Sequence, residues 1–197
     1  EGVKILFGRD YYNEEILGLK FKVNAFSFFQ TNIEAVERLY SEALALIPDL
    51  DSKVVYDLYC GTGTISQLMA SKAKKVYGIE IVQDSVDAAI DNAKMNNIDN
   101  CHFICGDVKA KLDEVTEKPD MIVVDPPRVG MHDKVVEMLA SYGIERILYI
   151  SCNTNTMAMN LEKFSELGYK PVVMKAYDNF PKTKHVESIA LIQRVKS

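Results

Sequence analysis

The sequence contains few of the residues that build metal sites or disulfide frameworks. It has no tryptophan, three histidines and four cysteines among 197 residues, and no two cysteines are spaced as C-x-x-C. Structural zinc and iron–sulfur sites need several such ligands close together, and disulfide-rich domains need more cysteines per residue. We therefore expect a reduced, cytoplasmic protein without a metal ion or iron–sulfur cluster. The cysteines are Cys60, Cys101, Cys105 and Cys152.

Long apolar runs are also absent. No stretch approaches the roughly 20 apolar residues of a membrane span, and no signal-peptide pattern is present. A hydrophobic fraction of 48% with 26% charged residues is typical of a globular domain and excludes a disordered chain. We expect one main domain in residues 24–197 and a short β extension in residues 1–23. Because the sequence begins with Glu1 rather than Met, we expect this extension to be the remnant of a missing domain.

The net charge of −5 does not by itself indicate a nucleic-acid binder. From Lys170 to the end, however, six lysines and arginines stand against two acids, a local charge of +4. A positive end on an acidic body favours a phosphate-contacting surface. A solvated C-terminal segment accounts equally well for the same charges.

Hydrophobic periodicity predicts alternating strands and helices. Residues 3–9 and 16–23 read as strands joined by a turn at 9–15, and Thr31 begins a capping-box pattern at the start of a helix. From residue 53 onward the order is strictly β–α. The predicted strands are 53–58, 75–80, 102–106, 120–125, 146–151, 171–178 and 187–194, and the predicted helices are 64–72, 82–96, 108–116, 131–141 and 154–167.

The order of these elements predicts the fold. Five strand–helix units followed by two strands without a helix differ from the six-stranded dinucleotide fold, which keeps alternating. The terminal hairpin is typical of a class I S-adenosylmethionine (SAM)-dependent methyltransferase. We therefore expect an α/β fold with a Rossmann-like sheet of seven strands, mostly parallel, with a C-terminal antiparallel hairpin strand.

The strongest motif runs from Val54 to Gly63. A buried strand holds Asp57 near its end, and a turn with Gly61 and Gly63 leads into a helix. Such a turn presents backbone N–H groups to a ligand, and glycine lets the ligand come close to the backbone. About twenty residues later Glu80 ends the next strand, where a carboxylate can accept hydrogen bonds from ribose hydroxyls.

Acids also follow the later strands, as Asp107 and Asp125. In an open α/β sheet these strand ends line one crevice, where ligands bind. Successive acids without a basic cluster disfavour a polyphosphate. They suit a ligand with a ribose, an adenine amino group and a cationic centre, which is the chemistry of SAM. NAD is disfavoured because Ser66 stands where G-x-G-x-x-G needs its third glycine.

Two further motifs carry chemistry or rigidity. In Asp125-Pro-Pro-Arg128 the prolines stiffen the loop beyond the strand, and Arg128 is placed to contact a phosphate; a purely structural turn is the alternative. In Ser151-Cys-Asn153 the thiol lies at a predicted helix N-terminus, which lowers a thiol pKa and favours a nucleophile. By position alone, a buried inert cysteine is an equal alternative for Cys152.

The loop before the last strand, Phe180-Pro-Lys-Thr-Lys-His-Val-Glu187, combines two lysines, a histidine and an acid. Glu187 enters an apolar strand, so we expect partial desolvation to raise its pKa and suit it to general-base work. His185 is placed to orient this carboxylate or to contact RNA. A surface loop of mixed charge is the alternative.

Together these motifs resemble the RNA uracil-5-methyltransferase family, which makes 5-methyluridine in ribosomal and transfer RNA. The resemblance covers nearly the whole chain from about residue 24, and the last segment is more similar to the 23S ribosomal RNA branch. Thr64 and Thr154 depart from the family pattern. The matching pieces are Phe29-Gln-x-Asn32, Asp57-Leu-Tyr-Cys-Gly-x-Gly63, Asp125-Pro-Pro-Arg128, Ser151-Cys-Asn153 and Phe180-Pro-x-Thr-x-His-Val-Glu187.

The resemblance implies roles for single residues. Cys152 matches the nucleophile, Glu187 the base, and Asp125 belongs to the catalytic set. The residues expected to bind SAM are Gln30, Asp57, Tyr59, Gly61, Gly63, Thr64, Glu80, Asp107 and Asp125. The residues expected to contact the RNA substrate are Arg128, Lys182, Lys184 and His185.

The implied chemistry explains these residue types. Addition of a thiolate at uracil C6 makes an enolate that concentrates electron density on C5, which then takes the methyl group of SAM. A base removes the C5 proton so that the thiolate can be eliminated. We expect a monomeric catalytic domain that modifies a uridine in RNA, most specifically in 23S ribosomal RNA, with transfer RNA as the alternative.

Other readings fit fewer of the residues. The 5-methylcytosine RNA methyltransferases place a second cysteine after the strand-four proline, where this chain has Arg128. Amino-group methyltransferases stack the base on an aromatic residue at that position and leave Cys152 without a role. A non-catalytic SAM- or RNA-binding module requires neither Cys152 nor Glu187, and an NAD-dependent oxidoreductase fits least.

Overall fold

The computed structural model describes residues 7–24 and 29–195. A 3₁₀ turn, Leu112–Glu114, follows the fourth helix. The strands and helices in chain order are β1 (Tyr11–Ile16), β2 (Leu19–Asn24), α1 (Ile33–Ala45), β3 (Val54–Leu58), α2 (Thr64–Ala70), β4 (Lys75–Glu80), α3 (Gln83–Met95), β5 (Cys101–Cys105), α4 (Val108–Lys111), β6 (Met121–Val124), α5 (Asp133–Ser141), β7 (Arg146–Ser151), α6 (Thr154–Glu166), β8 (Tyr169–Tyr177) and β9 (Glu187–Arg194).

The main sheet has seven strands in the order β5-β4-β3-β6-β7-β9-β8. The first five strands in this order are parallel to one another. β9 lies between β7 and β8 and is antiparallel to both. Every residue of β3 and β6 is buried, because helices cover both faces of the central strands. This topology confirms the predicted class I methyltransferase fold.

The two faces of the sheet carry separate cores. On one face α1 and α2 pack against the sheet through residues such as Leu39, Met69 and Ile150. On the other face α5 and α6 pack through residues such as Leu139 and Phe164. Both cores end below the carboxyl ends of the parallel strands, so the loops at that edge rest on a fixed platform.

The N-terminal hairpin differs from its predicted boundaries. The prediction of a strand at 3–9 lies partly outside the described residues, and residues 7–10 form no strand; β1 instead occupies the segment predicted as the turn, 9–15. The turn is the two-residue Leu17-Gly18, with φ of 49° and 82°. Positive φ at both positions is what a tight type I′ hairpin requires, and glycine supplies one of them without strain.

The hairpin packs on the main body of the chain. Phe21 and Val23 lie in the same core as α1. The side-chain amide of Asn96, the C-cap of α3, accepts from the backbone N–H of Lys20 and donates to its carbonyl, both at 2.8 Å. It therefore satisfies both backbone groups of this residue of β2. The assignment of residues 1–23 to the remnant of another domain stays a prediction.

Two other local predictions were wrong in detail. Asn32, not Thr31, is the N-cap of α1, and its side chain accepts from the N–H of Ala35 at 3.2 Å, as expected for asparagine at this position. The predicted helix 108–116 is only the four residues of α4 followed by the 3₁₀ turn, because Val115 is already extended and a β-branched residue favours that conformation. None of the helices in the described residues combines the length and apolar composition that a membrane crossing requires.

Candidate functional site

The candidate site lies at the carboxyl edge of the sheet, where β3, β4, β6 and β7 end and β9 begins. Ser151, the last residue of β7, pairs with Ser188 on β9. Cys152 and Glu187 are the next residues along these antiparallel strands, so the register makes them cross-strand neighbours. The thiol and the carboxyl group predicted to act together are therefore brought together by strand pairing.

The glycine turn after β3 is built from residues with positive φ. Tyr59, Gly61 and Gly63 have φ of 65°, 53° and 79°, and the N–H of Tyr59 donates to the carbonyl of Ile79 at 2.9 Å. A Cβ added at Gly61 would meet nothing within 4 Å, whereas one at Gly63 would lie 2.7 Å from the ring of Phe103. One glycine thus borders open space for a ligand, and the other permits close packing beneath it.

Glu80 is fixed at the end of β4 by two backbone amides. One carboxylate oxygen accepts from the N–H of Gly61 at 3.1 Å and the other from the N–H of Val82 at 3.0 Å. Each oxygen keeps a second lone pair that a ribose hydroxyl can use. On the neighbouring strand end, Asp107 is exposed and caps α4 through the N–H of Ala110.

Asp57 lies beneath the turn and is wholly buried. Its carboxylate accepts a short hydrogen bond from the hydroxyl of Ser66, and its second oxygen has no hydrogen-bond partner among residues 7–24 and 29–195. Burial raises the pKa of Asp57 to about 7, with a smaller contribution from the charge of Glu80, while the Ser66 hydrogen bonds lower it. Thr64, at the start of α2, is also buried.

Tyr40 on α1 is a site residue that the sequence analysis treated only as part of a helical period. Its side chain hydrogen-bonds Gln30, and burial, followed by the charges of Asp125, Glu187 and Asp57, raises its pKa well above the usual value. The phenol therefore lies where β3, β6 and β9 present their acids. A tyrosine at a core-facing helix position was the available signal, because a buried phenol needs a polar partner.

Asp125 follows β6 and is half-buried, with its N–H donating to the carbonyl of Leu58 at 3.2 Å. Burial raises its pKa well above the ordinary value, and the charges of Glu187 and Asp57 raise it further. The structure therefore brings three carboxyl groups, from three strands, into one electrostatically coupled group.

The pKa of Cys152 was predicted with the wrong sign. Burial raises the pKa of this thiol, the charges of Glu187 and Asp125 raise it further, and a hydrogen bond with Arg128 and its positive charge lower it. At the start of α6, the N–H of Asn155 already donates to Asn153 Oδ1 at 3.1 Å. Arg128 is the charged group that favours the thiolate.

Glu187 is 3% exposed. Burial raises its pKa, and the charge of Arg128 lowers it, so the predicted upward shift by desolvation is confirmed. Arg128 thus acts on both members of the cross-strand pair, with a sign that favours the ionised form of each.

The loop between β8 and β9 leads directly into Glu187. Thr183 Oγ1 donates to the carbonyl of Phe180 at 2.8 Å and accepts from the N–H of His185 at 3.2 Å. His185 is half-buried beside the ring of Phe180, whereas Lys182 and Lys184 are exposed. The two lysines therefore lie on the rim of the site, and His185 lies closer to its wall.

Comparison with known proteins gives similar relatives over almost the whole chain. The chain is 48% identical over 194 residues to an uncharacterized RNA methyltransferase of Caldanaerobacter subterraneus, covering 98% of this chain and 43% of the relative. It is 49% identical over 189 residues to an uncharacterized RNA methyltransferase of Clostridium acetobutylicum, covering 96% and 41%. The chain thus spans less than half the length of these curated relatives.

A solved structure has the same fold and a related sequence. The tRNA (uracil-54, C5)-methyltransferase of Pyrococcus abyssi, in complex with S-adenosyl-L-homocysteine, superposes with a TM-score of 0.78 at 28% identity, over 94% of this chain and 45% of that one. The sequence profile of the tRNA (uracil-5-)-methyltransferase family matches residues 1–195. The chain therefore belongs to the tRNA (uracil-5-)-methyltransferase family.

Proposed function

We propose that this chain is the catalytic part of a SAM-dependent enzyme that methylates C5 of a uridine in RNA. The observation that carries the proposal is the position of Cys152 and Glu187, which lie directly beside the paired residues Ser151 and Ser188 at the ligand-binding edge of a class I methyltransferase sheet. A binding module would need neither group. We assign the catalytic domain to residues 24–197, with residues 1–23 as its N-terminal extension.

The residues at this edge fit SAM. Open space borders the backbone at Gly61, and Glu80 is held with free lone pairs for a ribose. Asp107 is exposed at the next strand end for an amino group. We propose that Gln30, Tyr59, Thr64, Asp57, Gly63 and Asp125 complete the cofactor site. When bound there, SAM supplies an electrophilic methyl group.

We propose that Cys152 begins the reaction by adding as a thiolate to uracil C6. A C–S bond forms, the C5–C6 double bond opens, and the electrons move toward C5 and the carbonyl oxygen. Since burial disfavours the thiolate in the resting protein, the cation of Arg128 beside the thiol is needed to stabilise it.

Glu187 acts after C5 has been methylated. Its carboxylate takes the proton from C5, the C6–S bond breaks, and the C5–C6 double bond and the Cys152 thiolate are restored. A base with a pKa raised above the ordinary value accepts this proton more readily than an exposed glutamate. Asp125, half-buried at the end of β6, is the group that we propose holds the edge of the uracil ring.

We propose that the RNA lies across the rim formed by Arg128, Lys182, Lys184 and His185. Cations at the rim contact phosphates, and the target uridine must leave any stack to reach the thiol. The segment from Phe180 to Glu187 favours 23S ribosomal RNA as the substrate. Transfer RNA is the second candidate, because the solved relative at 28% identity is a tRNA methyltransferase.

The proposal is tested by trapping the covalent intermediate. The chain is mixed with SAM and with 5-fluorouridine-substituted 23S ribosomal RNA or transfer RNA, and a denaturing gel is run. Fluorine at C5 cannot leave as a proton, so the adduct should persist as a slow band. Cys152→Ala should abolish the band, while Cys105→Ala, at another half-buried cysteine, should retain it.

The outcomes separate the alternatives. A band with one RNA and not the other identifies the substrate. A band that survives in Cys152→Ala contradicts the assigned nucleophile. Absence of any band from a chain that still binds SAM contradicts the proposal that this chain suffices for uracil chemistry.

A further inference from the structure

The loop that carries Arg128 is attached to α6 at two points. The carbonyl of Arg128 accepts from Asn153 Nδ2 at 2.8 Å and lies 3.2 Å from Thr156 Oγ1. Between the two points, Gly130 has a φ of 75°, and a Cβ there would lie 2.9 Å from Thr156 Cβ. The loop therefore rests directly on the helix.

Asn160 makes the second attachment through three hydrogen bonds of its side-chain amide. Its Oδ1 accepts from the N–H of Met131 at 2.9 Å and from the hydroxyl of Tyr149 at 2.8 Å, and its Nδ2 donates to the carbonyl of Met131 at 2.8 Å. The side chain is 5% exposed, and Tyr149 lies on β7, the strand that leads to Cys152. A satisfied buried network of this kind rigidifies the elements that it joins.

These contacts come from one face of α6. Asn153, Thr156 and Asn160 are spaced by three and four residues, so they lie on the same side of the helix. The same helix begins two residues after Cys152. Nucleophile and loop are therefore fixed to one rigid element.

We propose that Asn160, with Thr156, is a positioning residue that holds the Arg128 loop so that the guanidinium stays beside the Cys152 thiol. The inference rests on the proposed function, in which Cys152 is the nucleophile and Arg128 stabilises its thiolate. It adds the residues that keep these two groups together. Asn160 and Thr156 act through the loop and not by contact with the thiol.

The position of the Arg128 loop can be measured through the ionisation of the Cys152 thiol, because this depends on the charges nearby. The charged groups that act on Cys152 are Glu187 from β9, Asp125 from the end of β6 and Arg128 from the loop, and only Arg128 favours the thiolate. Displacement of the loop removes the favourable charge and leaves the two unfavourable ones. The thiol should then ionise at a higher pH.

The test measures iodoacetamide alkylation of Cys152 between about pH 6 and pH 10 by peptide mass spectrometry, with the half-buried Cys105 as an internal reference. The variants are Asn160→Ala, Arg128→Gln and the double variant. The matched control is Asn92→Ala, since Asn92 is 1% exposed and also binds a backbone N–H, that of Lys22 at 2.8 Å. It lies on α3, at the other end of the sheet.

Asn160→Ala and Arg128→Gln should each slow the alkylation of Cys152 near neutral pH, by about threefold for half a pKa unit, while Asn92→Ala should not. The double variant should react like Arg128→Gln alone. An unchanged profile in Asn160→Ala, or an additive effect in the double variant, overturns the proposal.

A second pair of variants keeps the proposal testable if Asn160→Ala does not fold. Thr156→Val removes a hydroxyl from a half-buried position and should shift the profile in the same direction, while Thr156→Ser should not. Equal profiles for the two overturn the proposal. Because alkylation needs neither SAM nor RNA, a negative methylation assay and a negative alkylation result are distinguishable.

Discussion

The glycine turn supports a quantitative prediction on Gly63. In Gly63→Ala the new Cβ would lie 2.7 Å from the Phe103 ring and 2.9 Å from Ala89 Cβ, at a φ of 79°. Phe103 can rotate its ring, but Ala89 is fixed on α3 and wholly buried. A non-glycine residue in the left-handed region costs about 1–2 kcal/mol, and overpacking a core adds about 1–3 kcal/mol. We therefore expect a loss of about 2–5 kcal/mol in the free energy of unfolding.

Two other glycines separate the contributions. Gly168 has a φ of 82° and open space around its Cβ position, beyond the end of α6, so Gly168→Ala should show only the backbone cost of about 1–2 kcal/mol. Gly61 has a φ of 53° and equally open space, but it borders the proposed cofactor site. Gly61→Ala should therefore destabilise the fold no more than Gly168→Ala, yet weaken the binding of S-adenosylhomocysteine.

Urea unfolding followed by circular dichroism measures the stabilities, and calorimetric titration measures the affinities. If Gly63→Ala is no less stable than Gly168→Ala, the close packing beneath the turn does not contribute as argued. If Gly61→Ala binds S-adenosylhomocysteine like the parent chain, the open space at Gly61 is not the cofactor site.

Three further predictions concern the polar side chains of Asp57, Glu187 and Asn96. Because burial raises the pKa of Asp57 from 3.8 to about 7, the folded state binds the extra proton in that window, and stability attributable to Asp57 falls as pH rises through it. Relative to the parent chain, the free energy of unfolding of Asp57→Asn should rise by up to about 1.4 kcal/mol for each pH unit in this window. If the stabilities of the two proteins change with pH in parallel, the prediction is contradicted. Glu187→Gln should speed the alkylation of Cys152 at neutral pH, since the Glu187 charge raises the pKa of that thiol, and should leave a methylated RNA adduct that persists on a denaturing gel; normal release would remove Glu187 from its role. Asn96→Ala should lose about 0.5–1.5 kcal/mol, because the exposed backbone groups of Lys20 exchange this partner for water, and hydrogen exchange should quicken in β2 while β3 stays protected; uniform exchange would refute local docking.

The strands of the main sheet could be predicted because their apolar runs stand out clearly in the sequence. Continuous apolar runs such as Met121–Val124 are typical of strands covered on both faces, and Pro119 and Pro126 bound this one. The hairpin β1–β2 was shifted because its turn contains one glycine and a leucine at positive φ, a weaker signal than Asn-Gly. The short α4 was overestimated because periodicity does not report where Val115 turns extended.

Features of the site that depend on the type of a residue could be predicted from the sequence. Features that depend on the surroundings of a residue could not. The family resemblance, rather than position alone, singled out Cys152 and Glu187 as candidates, whereas the desolvation of Glu187 followed from the apolar strand after it. The sign of the Cys152 pKa shift did not follow, because it depends on the burial of the thiol and on three charges that only the fold brings together. The places of Tyr40 and Asn160 likewise depend on long-range packing.

The position of β9 also determines when the site is complete. β9 is the last strand of the described chain, yet it lies between β7 and β8. During synthesis from the N-terminus, β7 and Cys152 emerge well before the strand that carries Glu187, so an unfinished chain holds the thiol without the carboxyl group proposed as its base. The edge of β7 stays open until the final hairpin inserts. The proposed nucleophile thus acquires its proposed partner in the same event that closes the sheet, which would couple chemical competence to the completion of folding.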